Sequence, residues 1–242
     1  MELICYGSSS RGNGYILKGE SQTLLLEAGL PLSNVRKYIS DFSQIKGCLI
    51  SHRHCDHAKY MGDFMKAGIK CYANSDVWDN YSGSILNKGE LSEPIKATEI
   101  GEFIVVPMYA NHDVPCYAYL ISHPEMGRLL FLTDSAGFGC TFEKLDHIMI
   151  ECNWSEDCMA KAIEDGRTNS YVAKRSRDTH MSIDGMIDYV TSENLADSAK
   201  EVILLHLSHE NSNQQQFIER THNSLNKPIY VAENGLKLNL SI

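Results

Sequence analysis

The chain is short of several things. Over 242 residues, no stretch approaches the roughly 20 consecutive apolar residues of a membrane-spanning helix. The opening residues, Met1-Glu2-Leu3-Ile4-Cys5-Tyr6, have neither the basic start nor the long apolar run of a secretory signal. Positive charge is scarce: 22 Lys and Arg stand against 31 Asp and Glu, for a formal net charge of −9. That balance argues against non-specific coating of nucleic acid. It does not exclude a nuclease, because bound divalent cations can make the site itself positive. There is no Cys-x-x-Cys pair, which removes the zinc knuckle and the thioredoxin motif. The eight cysteines, at 5, 48, 55, 71, 116, 140, 152 and 158, are scattered and read as reduced thiols of a cytoplasmic protein. No internal repeat, low-complexity tract or linker is visible. A single domain over residues 1–242, mixing strands and helices, is the expectation.

What is present is concentrated in Ser51-His52-Arg53-His54-Cys55-Asp56-His57. Three histidines and a carboxylate occupy six positions, in the order His-x-His-x-Asp-His. The preceding Gly47-Cys48-Leu49-Ile50 reads as a buried strand, so the cluster falls where a strand ends. His52 and His54 are two apart, and an extended backbone points both rings to the same side. Asp56 and His57 follow the turn and can face a second point. That layout suits a pair of metal ions better than one.

The same arrangement recurs along the chain. Strands are expected at Leu3 to Tyr6, Tyr15 to Lys18, Thr23 to Leu26, Lys70 to Ala73, Phe103 to Met108, Cys116 to Ile121, Leu129 to Leu132, His147 to Ile150, Val202 to Leu205, Ile229 to Val231 and Leu236 to Leu240. Helices are expected over Pro31 to Ile39, Lys59 to Lys66, Ser155 to Glu164, Ile183 to Val190 with Ser182 as N-cap, and Gln214 to Thr221. Asp76 to Glu99 is polar and gives no clear pattern, and Asp165 to Thr179 is polar, turning basic in its second half. His112, Asp134 and His206 each follow an apolar strand, so a rigid sheet would carry them to one rim. The candidate ligands are therefore His52, His54, Asp56, His57, His112, Asp134 and His206. Imidazoles and carboxylates suit zinc, and also iron or manganese.

This order of motifs resembles the metallo-β-lactamase superfamily. The resemblance implies an α/β (α+β) fold, a four-layer αββα sandwich. It also implies a binuclear site, in which His52, His54 and His112 hold one divalent ion, Asp56, His57 and His206 hold the other, and Asp134 bridges them. Two ions about 3.5–4 Å apart lower the pKa of a water and stabilise both oxygens of a displacement. The chain is similar in particular to the YycJ/WalJ-like branch, regarded as 5′-exonucleases acting on DNA. The likeness lies in Gly7-Ser8-Ser9-Ser10-Arg11-Gly12-Asn13, Asn111-His112-Asp113, Glu151-Cys152-Asn153, Thr179-His180-Met181-Ser182 and His206-Leu207-Ser208-His209-Glu210-Asn211. It departs from the superfamily at Glu27, where Asp is usual, and at Arg53 and Cys55, none of them ligand positions.

Outside the ligands, the nuclease resemblance makes His180 a contact to the scissile phosphate or the donor to the leaving oxygen; a helix-capping surface residue is the competing reading. Asp56 and His180 are the candidate catalytic residues. Lys174, Arg175 and Arg177 form the most basic stretch, suited to phosphate or simply solvated. Ser8, Ser10 and Asn13 can meet a terminal phosphate or merely form a tight turn. His209 competes with His206 as last ligand and is expected to line the rim. His123 and His222 are expected to be solvated, His147 to pack or cap, and Cys55 to fill space beside the ligands. The leading expectation is a metal-dependent phosphodiesterase, a 5′-exonuclease with DNA as its partner. A thioester or lactam hydrolase is the alternative, and a metal-binding module without turnover a third.

Overall fold

The computed structural model describes residues 1–242. In chain order the strands are β1 (Glu2–Gly7), β2 (Gly14–Lys18), β3 (Thr23–Leu26), β4 (Ile45–Leu49), β5 (Cys71–Tyr72), β6 (Thr98–Ile100), β7 (Phe103–Ala110), β8 (Cys116–His123), β9 (Gly127–Leu132), β10 (His147–Glu151), β11 (Glu201–Leu205), β12 (Ile229–Val231) and β13 (Lys237–Asn239). The helices are α1 (Leu32–Val35), α2 (Cys55–Ala58), α3 (Met61–Lys66), α4 (Ser75–Asp79), α5 (Glu156–Glu164), α6 (Ser170–Thr179), α7 (Ile183–Ser192), α8 (Leu195–Ser198) and α9 (Gln214–Leu225). One sheet runs β13-β1-β2-β3-β4-β5 and the other β12-β11-β10-β9-β8-β7-β6.

Alternation along the strands sorts the chain into layers. Leu3 and Cys5 of β1, Phe131 of β9, Met149 of β10 and Ile203 of β11 all enter one core between the sheets. Their neighbours face outward. Ile4 and Tyr6 pack with Phe64 and Met65 of α3 on one side. Leu130, Ile148 and Leu204 pack with Met186 and Val190 of α7 and Phe217 of α9 on the other. Both faces of each central strand are buried, so these segments read as continuous apolar runs. The result is the expected four-layer αββα sandwich.

Strand direction then fixes the site. β3, β4 and β5 are mutually parallel. β9, β10, β11 and β12 are parallel in turn. β7 is antiparallel to β8, and β8 to β9, so β7 runs with β9. The C-terminal ends of β4, β7, β9, β10 and β11 thus present the residues that follow them on one rim.

Several local expectations need correction. The helix over Pro31 to Ile39 is only the four-residue α1. The helix over Lys59 to Lys66 starts at Met61 as α3, and the short α2 before it was not expected; the two stay separate because the Tyr60 N–H turns away to the Ala28 carbonyl at 2.8 Å. The polar stretch before Thr179 contains α6, held by Asn169, whose side chain caps the Val172 N–H at 2.9 Å. α6 buries only Ala173 and Thr179, so it carries almost no apolar period. Ser182 caps α7 as expected. His123 is buried rather than solvated, its ring 4.4 Å from Phe103. Cys55 is exposed at the start of α2 instead of filling space beside the ligands. His147 is buried and joins Glu201 to the Met126 carbonyl. No helix is long and apolar enough to cross a membrane.

All eight cysteines are free thiols. Burial pushes the Cys5 thiol up to about 12 and raises Cys48, Cys116 and Cys152 well above the ordinary range. Only the thiolate reacts readily. Alkylation of native protein without reductant should therefore label Cys55 first and spare these four until the chain is unfolded, when all eight are labelled. Early modification of Cys116 or Cys152, or a native disulfide, would contradict this packing.

Candidate metal centre

At the end of β4 the chain turns through Ser51 and His52 and enters α2 at Cys55. Here His52 Nε2 lies 3.1 Å from His54 Nδ1, and His112 Nε2 lies 3.3 Å from the same atom. For ligand bonds of about 2.0–2.1 Å, the edge of a tetrahedron is roughly 3.3–3.4 Å, which both separations from His54 approach, and the ligand atoms of all three rings lie within 4.8 Å of one another. Asp56, His57, Asp134 and His206 make a second group. His57 Nε2 is 3.4 Å from Asp56 Oδ2 and 3.2 Å from Asp134 Oδ1. His206 Nε2 is 3.5 Å from Asp56 Oδ2, is buried, and has no hydrogen-bond partner. A buried polar atom without a partner is costly, and a cation beside Asp56 would satisfy it. The two groups adjoin: the His52 and His57 rings are 4.2 Å apart. All seven sequence-derived ligand candidates are brought together.

A ligating imidazole needs its other nitrogen held, which fixes tautomer and direction. His52 Nδ1 meets Ser51 Oγ at 2.9 Å, and His112 Nδ1 meets the Thr179 carbonyl at 2.8 Å. His57 Nδ1 faces Glu27 Oε1 at 3.5 Å, and His206 Nδ1 meets Glu151 Oε1 at 3.0 Å. Charge differs between the groups. Burial, with help from His57, holds the His52 pKa well below its ordinary value, and burial also lowers His54. Burial opposes charge on His57 and His206 as well, but Asp134 and the neighbouring carboxylates outweigh it. His57 is thereby raised, and His206 reaches about 10. In the second group the carboxylates therefore outweigh burial, and a cation taking the place of the imidazole protons would meet the same negative charge.

The backbone around Asp56 and His57 is fixed from three sides. The Asp56 carbonyl accepts from the Asn13 N–H at 2.8 Å, the His57 carbonyl from the Ala28 N–H at 2.7 Å, and the Asn13 carbonyl from the Gly29 N–H at 3.1 Å. A Cβ on Gly29 would lie 1.7 Å from the Asp56 carbonyl oxygen, so only glycine fits. Two non-glycine residues take left-handed backbone here, Glu27 at φ 66° and His206 at φ 54°. Such strain persists only where the surroundings enforce it. The fully buried Glu27 carboxylate binds the Ser51 N–H, and Ser8 Oγ accepts from the His206 N–H at 2.9 Å.

Glu151 is the member that motif reading left without a role. Fully buried at the end of β10, it accepts from the Ser135 N–H at 2.8 Å and the Met181 N–H at 3.0 Å through Oε2. Through Oε1 it meets His180 Nδ1 at 2.7 Å and His206 Nδ1 at 3.0 Å. It therefore aims a candidate ligand and a candidate catalytic residue together. A carboxylate ending an apolar strand was the available signal, the same one that marks Asp134. His180 Nδ1 is 3.7 Å from Asp134 Oδ2. Burial opposes its charge, while Glu151 and Asp134 outweigh that and raise its pKa.

The expected substrate contacts fare unevenly. Asn13 is corrected: it is fully buried, and its side-chain amide lies 3.0 Å from His57 Nε2, supporting the turn instead of reaching outward. Ser8 Oγ is taken up by Tyr15 and His206 at 2.7 and 2.9 Å. Ser10 is exposed and lines a cleft of about 280 Å³ together with His180, His206, Arg167 and Arg175. Arg177 turns away from that cleft to pair with Glu156 and lie over Trp154. His209 is exposed, bonds Glu210 at 2.9 Å, and lines a neighbouring cavity of about 450 Å³ with Ser8 and Ser10.

Residues 24–207 match the family model described as the beta-lactamase superfamily domain. The chain is 23% identical to the exodeoxyribonuclease WalJ of Streptococcus pneumoniae, covering 95% of this chain and 81% of that one. The metallo-beta-lactamase fold protein YhfI from Bacillus subtilis superposes with a TM-score of 0.75 at 18% identity, over 98% of both chains. The short form of human tRNase Z superposes at 0.66 and 14% identity over 100% of both.

Gly29→Ala should force the Asp56 turn outward, costing about 1–3 kcal/mol as overpacking does. That lowers the thermal midpoint by roughly 2–12 °C at this chain length and reduces bound divalent metal. Gly137→Ala, where an added Cβ meets nothing within 4 Å, is the control and should change neither. Equal behaviour of the two variants, by calorimetry and elemental analysis, would contradict the close approach.

Proposed function

Taking as premise that this chain belongs to the beta-lactamase superfamily and is a hydrolase of the metallo-β-lactamase fold, we propose that it is a binuclear metal-dependent phosphodiesterase, a 5′-exonuclease acting on DNA. The observation that carries the reading is His180. It stands outside the two groups assigned as ligands, although it also gathers with Asp134, Glu151 and His206; it is locked by Glu151 beside Asp134, and it faces a cleft that also contains Arg175 and Arg167, the latter paired with Asp165 and Glu210. An imidazole so held can give a proton to a leaving oxygen, and guanidinium groups suit phosphate. The exodeoxyribonuclease WalJ, similar over most of its length, supports the same substrate class.

The roles follow from the geometry. His52, His54 and His112 would hold one ion, and Asp56, His57 and His206 a second, with Asp134 between them; zinc fits the donor set, as do manganese and iron. When bound, the ions supply electrophilic stabilisation of the phosphate and an activated water near neutral pH. Ser51, Glu27, Thr179 and Glu151 keep the rings aimed. His180 Nδ1 is occupied by Glu151, which leaves Nε2 to deliver the proton. Arg175 sits with His180 at the cleft and holds a phosphate there. Ser10, exposed where both cavities meet, is the remaining candidate to read a terminal phosphate, with His209 at its outer edge.

Metal-loaded wild type should carry two ions per chain and lose activity on chelation. Asp134→Asn should impair both positions, and His112→Ala mainly one, by elemental analysis. His180→Ala should cut turnover of end-labelled DNA by about 10²–10⁴-fold with both ions retained; loss of metal would make His180 a ligand instead. Arg175→Ala should flatten the salt dependence of DNA binding, because a lost phosphate contact removes counterion release. Arg177→Ala should leave that dependence unchanged. If no strand is degraded while a thioester or lactam is hydrolysed, the small-molecule reading replaces this one.

A further inference from the structure

α6 divides the approach to the metal centre. One flank belongs to the cleft with His180 and His206. The other belongs to a larger cleft of about 520 Å³ whose floor is His112 and Asp113. Its wall is one face of the helix: Tyr171, Lys174, Arg175 and Asp178 follow the i, i+3, i+4, i+7 spacing that places side chains in a row. Arg175 lines both clefts and so stands on the crest between them.

Tyr171 is the anomaly on this wall. It is 77% exposed, while its helix buries only Ala173 and Thr179. The large ring therefore contributes little to the core, although it opens onto the same cleft as His112, whose own side chain is fully buried. The cations beside it are only loosely committed. Lys174 pairs with Asp178, and Arg175 with Asp113 at 3.4 Å, but the two cationic side chains are 76% and 53% exposed. Exposed pairs of this kind are weak, so both cations can turn to an incoming phosphate.

We propose that this second cleft holds the nucleotide adjoining the scissile phosphate of a single strand, its base stacked on Tyr171 and its phosphate held by Lys174 and Arg175. The inference rests on the phosphodiesterase reading and adds to it the strandedness of the substrate. A base inside a duplex is already stacked on its neighbours and cannot lie on Tyr171, whereas an unpaired base offers its face without regard to sequence. The strand passes over the crest at Arg175, with one flank in each cleft and the diester between them at the candidate metal centre. A volume of this order is that of a small-ligand pocket, enough for one nucleotide rather than a duplex.

The test uses metal-loaded wild type, Tyr171→Ala and Tyr171→Phe on three substrates. These are a 5′-phosphorylated oligothymidylate, the same strand with abasic sites, and a small diester without any ring that can stack, two abasic deoxyriboses joined by one phosphate. Base stacking of ordinary strength predicts that Tyr171→Ala raises KM for the intact strand about 5- to 150-fold. Turnover of the abasic dimer and metal content stay at wild-type values. Tyr171→Phe keeps the wild-type KM, and the abasic strand abolishes the difference between wild type and Tyr171→Ala. An unchanged KM in Tyr171→Ala overturns the proposal. So does an equal loss on the small diester, or a difference that persists on the abasic strand. Failure of the underlying reading shows in the wild type alone: if it degrades neither strand, both fall together.

Discussion

Ionisable side chains gathered at the seam between apolar sheets cannot stay there unpartnered. Taking charge out of water costs several kcal/mol per group unless opposite charge and hydrogen bonds replace it. Here Asp134, Glu151 and Glu27 are almost wholly buried within reach of His57, His180 and His206. The surrounding structure follows from that constraint. Glu151 takes hydrogen bonds from two backbone N–H groups and two imidazoles. Glu27 takes the Ser51 N–H, Gly29 admits the Asp56 carbonyl, and Asn13 closes the turn from beneath. What protein groups leave unmatched, above all the buried His206 Nε2, bound cations would complete.

The sandwich makes this affordable in mechanical terms. Parallel strands end together, so residues distant in sequence arrive side by side without long loops. His112, Asp134, Glu151 and His206 each occur within two residues of a strand's last position or at it. The strands themselves are anchored on both faces by apolar layers. Rings mounted in this way are held to the tolerance a metal site requires.

The strands, and the gathering of the candidate ligands, were legible in the sequence because their signals are local. Apolar runs such as Leu129 to Leu132 and Val202 to Leu205 leave little choice, and a histidine or aspartate directly after such a run stands out. α6 was not legible, because Tyr171, Lys174, Arg175 and Asp178 lie on a face that meets solvent; its stability comes from the Asn169 cap and Ala173. Glu151 was quoted but given no role, since its partners His180 and His206 are 29 and 55 residues away. The motif containing Asn13 suggested a substrate loop, but the tertiary fold turns its amide inward to His57. Arg177 shared a basic run with Arg175, yet helical rotation separates them, one toward the cleft and one toward Glu156. Motifs bring residue types to attention; direction comes only with the fold.

The central claim is that two cations, acting together in this pocket, drive diester hydrolysis. Titration of divalent metal into metal-stripped protein, with bound metal and turnover of bis(p-nitrophenyl) phosphate followed in the same samples, addresses it directly. Turnover should stay near background through the first equivalent and rise with the second, reaching its plateau at two per chain. Full activity at one equivalent, or activity that persists without bound metal, would contradict the account.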